Sequence, residues 1–259
     1  RYICKECGKR FTALTNTIFD SKKIPISEWI EYLLHLFEFH SINSTAYDNR
    51  NSPTTGKYWL IKTFEVLKGI QNDVVLDGTV YLDETYFTKV RSKLVTKDGK
   101  KLRGISRNKI GVGVACNETK SIFIVTGTSK PSRKSTKETY SQHIARGSVL
   151  VHDDEHSHSI LIEELELESI VYPTAETKEL SDKDNPLYPV NNLHLLLKQF
   201  IRNHGAYDRE HLQDWLNLFW FIMNEPKDKY DKVLKFIEMA VLSPKKVRYR
   251  DAMSSKHSK

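Results

Sequence analysis

A chain of 259 residues with 39% hydrophobic content can bury a substantial core, in one large domain or two smaller ones. Forty Lys and Arg against 33 Asp and Glu leave a formal charge of +7, which favours a polyanionic partner. The longest apolar stretch, Leu216 to Met223, is far short of a bilayer span and no charged-then-apolar signal opens the chain, so no membrane partner is expected and the default location is cytoplasmic. Three cysteines do not suit a disulfide framework at this length, and a reduced compartment suits them well.

The chain begins "RYICKECGKRFT" without an initiator Met, and Cys4-x-x-Cys7 is one knuckle of a zinc ribbon. One knuckle supplies two of four ligands, and no second pair follows, so Zn²⁺ is expected only if an upstream CxxC exists. From Ile26 the residues Trp29, Ile30, Leu33, Leu34, Leu36 and Phe37 recur at helical spacing, with Ser27 as the expected N-cap. A short helix, a turn at Ser52 and Pro53, and a second helix from about Thr54 to Leu67 follow, bearing Lys57, Tyr58 and Lys62. This pattern reads equally as a helix-turn-helix or as a small helical bundle.

After Gln71 the pattern changes to strands. "TVYLDETYF", "IGVGVAC" and "SIFIVTGT" form a meander, then come a helix near Lys137 to Ala145, the strand "GSVLVHDDE", the helix "SHSILIEELEL" and the strand "SIVYP". A β-β-β-α-β-α-β order is that of the RNase H-like fold, an α/β (α+β) class with a mixed sheet flanked by helices. Helices are expected at Asn191 to Arg202, His211 to Met223 and Lys229 to Val241. The expected domains are a partial ribbon at 1–20, a helical domain at 21–72, an RNase H-like domain at 73–225, and a basic helix and tail at 226–259.

Basic residues cluster. Nine lie between Lys89 and Lys109 against the single acid Asp98, and "SKPSRKSTK" has no acid at all. Candidate phosphate contacts are Lys57 and Lys62 on the helix, Lys93, Lys100, Lys101, Arg103 and Arg107 in the long loop, and Arg133 and Lys134 beyond it.

Period-2 alternation puts Tyr81, Asp83 and Thr85 on one strand face and Val80, Leu82 and Glu84 on the other, so the adjacent acids point apart. An Asp in the middle of a strand of β-formers needs a reason, and metal ligation competes with simple satisfaction by Lys or backbone donors. A second strand ends in His152, Asp153 and Asp154, with Asp153 on the face of Val149 and Val151. In "PVNNLHLLLKQF" the expected packed stripe is Leu193, Leu196, Leu197 and Phe200, with Asn191, His194, Lys198 and Arg202 opposite. Asn191 and Lys198 lie two turns apart and face one way. Two carboxylates and a third oxygen donor converging from two strands and a helix suit hard divalent cations.

"VYLDETYF", "LVHDDEHSH" and "NNLHLLLKQF...HLQDWLNLF" resemble the RNase H-like transposases of bacterial insertion sequences, in the group with an N-terminal zinc ribbon and helix-turn-helix. The resemblance implies Asp83 and Asp153 as catalytic acids, Asn191 as third ligand (with Asn192 or His194 in its place as alternatives) and Lys198 as the group's Lys. It further implies two Mg²⁺ or Mn²⁺ ions, strand cleavage at element ends, and strand transfer into target DNA. The partners implied are double-stranded terminal inverted repeats and target DNA, met by a homo-oligomer associated with the bacterial nucleoid. Competing readings are an inactive or truncated DNA-binding remnant, and a metal-dependent nuclease without strand transfer.

Overall fold

The computed structural model describes residues 1–20, 24–89, 98, 104–204, 209–243 and 245–254. The elements in chain order are β1 (Tyr2–Ile3), β2 (Arg10–Phe11), α1 (Ile26–Phe37), α2 (Ile42–Asp48), α3 (Pro53–Leu67), β3 (Thr79–Thr88), β4 (Lys109–Cys116) and β5 (Ser121–Thr128). They continue with α4 (Arg133–Tyr140), β6 (Val149–His152), α5 (Ser159–Leu165), β7 (Glu168–Val171), α6 (Thr174–Thr177), α7 (Tyr188–Asn203), α8 (Leu212–Met223), α9 (Lys229–Leu242) and α10 (Tyr249–Ser254). Two compact units emerge, Arg1–Lys68 with Phe221–Lys259, and Gly69–Trp220.

The first unit is helical with an aromatic core. Trp29 stacks on Trp59 with ring centroids 4.4 Å apart, and Tyr32 stands edge-on to Trp59 while its hydroxyl donates to the Gly56 carbonyl at 3.0 Å. Gly56 also lets α3 approach α2, since a Cβ there would lie 3.0 Å from the Ala46 methyl. Ser52 caps α3 by accepting from the Thr55 N–H at 3.2 Å, with Pro53 in the first turn. The cap expected at Ser27 is not formed. Pro25, at φ −67° and ψ 157°, is already the residue that enters α1, so Ser27 falls inside the first turn.

Lys62 also departs from expectation. It follows Tyr58 and Trp59 by one helical turn and so shares their buried side; its ammonium donates to the Ile18 carbonyl and lies 4.8 Å from the centre of the Tyr58 ring. It is a core residue and not a surface contact for DNA. The chain after α8 returns to this unit: Phe236 of α9 packs against Phe37 and Phe221, and the Tyr58 hydroxyl donates to the Val247 carbonyl at 2.7 Å.

The second unit is built on a five-stranded sheet of order β5-β4-β3-β6-β7. β3, β4 and β5 pair antiparallel as the expected meander, and β6 and β7 add on the other side of β3 in parallel. One face packs Val80, Leu82, Ala115, Ile122 and Leu150 against Tyr140 of α4 and Leu161 of α5. On the opposite face Phe123 of β5 meets Phe219 of α8, which in turn packs on Phe200 of α7. A central mixed sheet with helices on both faces is the RNase H-like arrangement that the order of elements predicts.

The outer edge of β5 is covered by side chains that imitate a strand. Gln71 accepts from the Phe123 N–H at 2.7 Å and donates to its carbonyl at 3.0 Å, while Gln213 accepts from the Val125 N–H at 2.9 Å. Trp220 donates to the Ser121 carbonyl at 2.6 Å. The backbone groups satisfied in this way are those an open edge would offer to another chain. Among the described residues no helix is long and apolar enough to cross a membrane.

Candidate active site

β3 and β6 lie side by side in parallel with Leu82 opposite His152, so the next residue on each, Asp83 and Asp153, meet where β6 ends. Each carboxylate is braced by a neighbouring backbone N–H, that of Glu84 on Asp83 at 2.7 Å and that of Glu155 on Asp153 at 3.1 Å. Burial, and then the charges of Asp153 and Glu84, push the Asp83 carboxyl up to about 7. Burial also raises Asp153, against the Glu155 N–H and His158, which favour its charged form. Acids that resist ionising together are relieved by a divalent cation, so the donor set fits one.

Behind this pair lies a second polar layer. Glu84 is buried on the opposite strand face, where it accepts the Tyr140 hydroxyl at 2.9 Å and pairs with His158 Nε2 at 3.3 Å. His158 Nδ1 stands 3.1 Å from His152 Nδ1 and 3.9 Å from Asp153 Oδ1, and His152 Nε2 is 3.0 Å from the Ser169 hydroxyl. Burial works against a charged His158, but the Glu84 hydrogen bond and the surrounding carboxylates prevail and raise it. Burial, then the charge of His158, lowers His152 to about 4. Gly113 faces Glu84 across the β3–β4 ladder, and a Cβ on it would overlap the Tyr140 hydroxyl. The strand alternation places Glu84 away from Asp83. Its partners Tyr140 and His158 come from distant segments, and the only sequence signal for them is the histidine-rich run after β6.

α7 lies against β3 and β4, but turned from the expected orientation. Its buried residues are Val190, His194, Leu197, Phe200 and Ile201, while Leu193 and Leu196 are only half-buried. His194, expected on the polar side with Asn191 and Lys198, therefore borders the packed stripe. Its Nδ1 is 3.7 Å from Asp83 Oδ2, and its Nε2 is buried with no hydrogen-bond partner among the described residues. Burial, then the charge of Lys198, holds His194 at about 4, so the ring stays neutral and keeps a lone pair. Asn191 is half-buried one turn earlier and Lys198 is exposed one turn later. The helix thus brings a neutral donor to the side of Asp83, with a cation one turn further along it.

The other expected contacts scatter. Lys57, Arg107 and Lys134 are exposed. Arg133 donates to Ser159 Oγ at 3.0 Å and Glu163 at 2.7 Å, which ties α4 to α5. Lys93, Lys100, Lys101 and Arg103 lie outside the described residues. At the N-terminus, the Gly8 N–H donates to the Cys4 carbonyl at 2.9 Å, and the N–H groups of Cys7 and Glu6 lower the Cys4 thiol. Among the described residues no third His, Cys or carboxylate ligand joins Cys4 and Cys7 in a cluster.

No family model and no curated protein matches the chain. Solved structures similar to it include a pre-cleavage Mos1 transpososome, at 13% identity over 95% of this chain and 83% of that one, with a TM-score of 0.34. The Mos1 mariner paired-end complex with Mn gives 16% identity over 95% of this chain and 83% of that one, at 0.34. A Mos1 transposase paired-end complex with the left transposon end gives 14% over 97% and 81%, at 0.32.

Proposed function

We propose that this chain is a DNA transposase that cleaves at the ends of its element and joins the freed 3′-hydroxyl to target DNA with the help of divalent metal ions. The observation that supports this reading best is the meeting of Asp83 and Asp153 on adjacent parallel strands, their carboxyls raised by burial, with a donor-bearing helix alongside. Asp83, Asp153 and one α7 donor (Asn191, Asn192 or His194) would hold Mg²⁺ or Mn²⁺. Such an ion would activate the attacking hydroxyl and stabilise the leaving oxygen of a phosphodiester.

The chain's own residues divide the remaining work. Lys198, exposed on the α7 side that carries Asn191, offsets phosphate charge, and the second layer of Glu84, Tyr140 and His158 fixes the strand ends on which both acids sit. Lys57, Arg107 and Lys134 meet phosphates of double-stranded DNA without reading sequence. Two element ends held together call for a homo-oligomer on DNA.

Cleavage and joining on DNA carrying the element ends, with Mg²⁺ or Mn²⁺, tests the proposal in wild type, Asp83→Ala and Asp153→Ala. Metal-dependent nicking in wild type that both variants lose is expected. DNA binding without nicking in any of the three would sink the enzymatic reading, and nicking without joining would leave a nuclease.

A further inference from the structure

Three potential ligands outside the sheet converge in the helical unit. α1 ends in a Schellman motif: Phe39 adopts φ 67°, its N–H donates to the Leu36 carbonyl at 3.2 Å, and the His40 N–H reaches back to the His35 carbonyl at 3.1 Å. The two positions that this motif brings together ordinarily carry an apolar contact. Here both are histidines, with ring centroids 5.1 Å apart. Each presents Nδ1 to the same atom, Asp48 Oδ2 at the end of α2, at 3.3 Å from His35 and 4.0 Å from His40. The Ser44 hydroxyl steadies that carboxylate from 3.5 Å.

The geometry is that of a chelate more than of an ion pair. His35 Nδ1 is buried and, although 3.3 Å from the carboxylate, makes no hydrogen bond among the described residues, so its ring does not point straight at the oxygen. Ligands of a tetrahedral Zn²⁺, each about 2.0–2.1 Å from the ion, sit about 3.3 Å from one another and aim at the space between them. The His35 to Asp48 separation already has that value. The exposed His40 ring has about 0.7 Å to close, within the reach of a rotamer adjustment.

We propose that His35, His40 and Asp48 form a binding site for a borderline divalent transition ion of the Zn²⁺ class, which fastens the end of α1 to the end of α2. Two imidazoles and one carboxylate select such ions over Mg²⁺, which prefers an all-oxygen shell. Exposure of His40 and Asp48 leaves the remaining coordination position open to water.

The test uses the full chain, stripped of metal, in a Cys4→Ser, Cys7→Ser, Asp83→Ala, Asp153→Ala background, which removes the thiolates and both sheet acids and so also breaks up the His152, Asp153 and His158 group. Titration with Co²⁺ should show one equivalent bound, with ligand-field bands and no thiolate charge-transfer band. Zn²⁺ should displace it and raise the thermal midpoint. Affinity should fall more than about tenfold in His40→Gln and in Asp48→Asn, whose exposed positions spare the fold, as far-UV circular dichroism would check. Absence of binding, or equal affinity with and without these substitutions, overturns the site.

Discussion

Asp83→Asn should stabilise the metal-free protein while abolishing the metal-dependent cleavage proposed for it. The ordinary carboxyl value is 3.8, and in the folded chain Asp83 stands at about 7. Because the folded value lies above the unfolded one, the native state holds the proton more tightly. The resulting cost is absent below the unfolded value, grows as pH rises between the two, and is complete above the folded one. At 1.36 kcal/mol for each tenfold change, the cost reaches about 4 kcal/mol as an upper bound. An Asn cannot ionise, yet its side-chain oxygen still accepts the Glu84 N–H, so much of that cost disappears. Urea unfolding in EDTA should therefore show the variant more stable than wild type by roughly 1–4 kcal/mol at about pH 8, and the two converging at about pH 4. Added Mn²⁺ should stabilise wild type at the higher pH and leave the variant largely unmoved. A variant no more stable than wild type without metal at pH 8, or one that keeps the full Mn²⁺ response, would refute the picture of a strained acid pair awaiting a cation.

Other substitutions probe the layers beneath. Gly113→Ala forces a methyl into the Tyr140 hydroxyl and should cost about 1–3 kcal/mol by thermal or urea unfolding. Tyr140→Phe removes a donor from the buried Glu84 carboxylate and should lower stability by about 1–3 kcal/mol in the same assay. Lys57→Ala should weaken DNA binding across all sequences and reduce its salt dependence by about one counterion, measured by fluorescence anisotropy over a salt series. Lys62→Ala, in contrast, should act through stability, costing about 2–4 kcal/mol from lost packing and an unsatisfied Ile18 carbonyl.

Much of the sheet and its acids was legible because the relevant periodicities are local. Alternation along β3 separates Asp83 from Glu84 whatever the strand packs against, and the apolar run before Asp153 locates the end of β6. What escaped depends on distant partners or on residues with two natures. The Tyr140 hydroxyl finds Glu84 from 56 positions away, a pairing that no spacing rule encodes. Lys62 has a long apolar stem, and only the carbonyl and aromatic faces waiting for its ammonium let the core accept it. The stripe of Leu193, Leu196, Leu197 and Phe200 placed α7 only in part, because a neutral, half-polar ring such as His194 serves as a packing residue as well as a donor. At α1, proline geometry displaced the serine cap by setting the entry two residues earlier.

The parallel pairing of β3 with β6 bears on when the two acids first meet as the chain folds. The meander β3 to β5 is made of neighbouring segments and can zip early, yet it carries Asp83 alone. Asp153 arrives only when β6, separated from β3 by β4, β5 and α4, docks along β3. That closure is a long-range step, slow relative to hairpin formation. A partly folded or nascent chain thus has no acid pair with which to hold a metal ion, and the proposed cleavage activity would arise only as the sheet is completed.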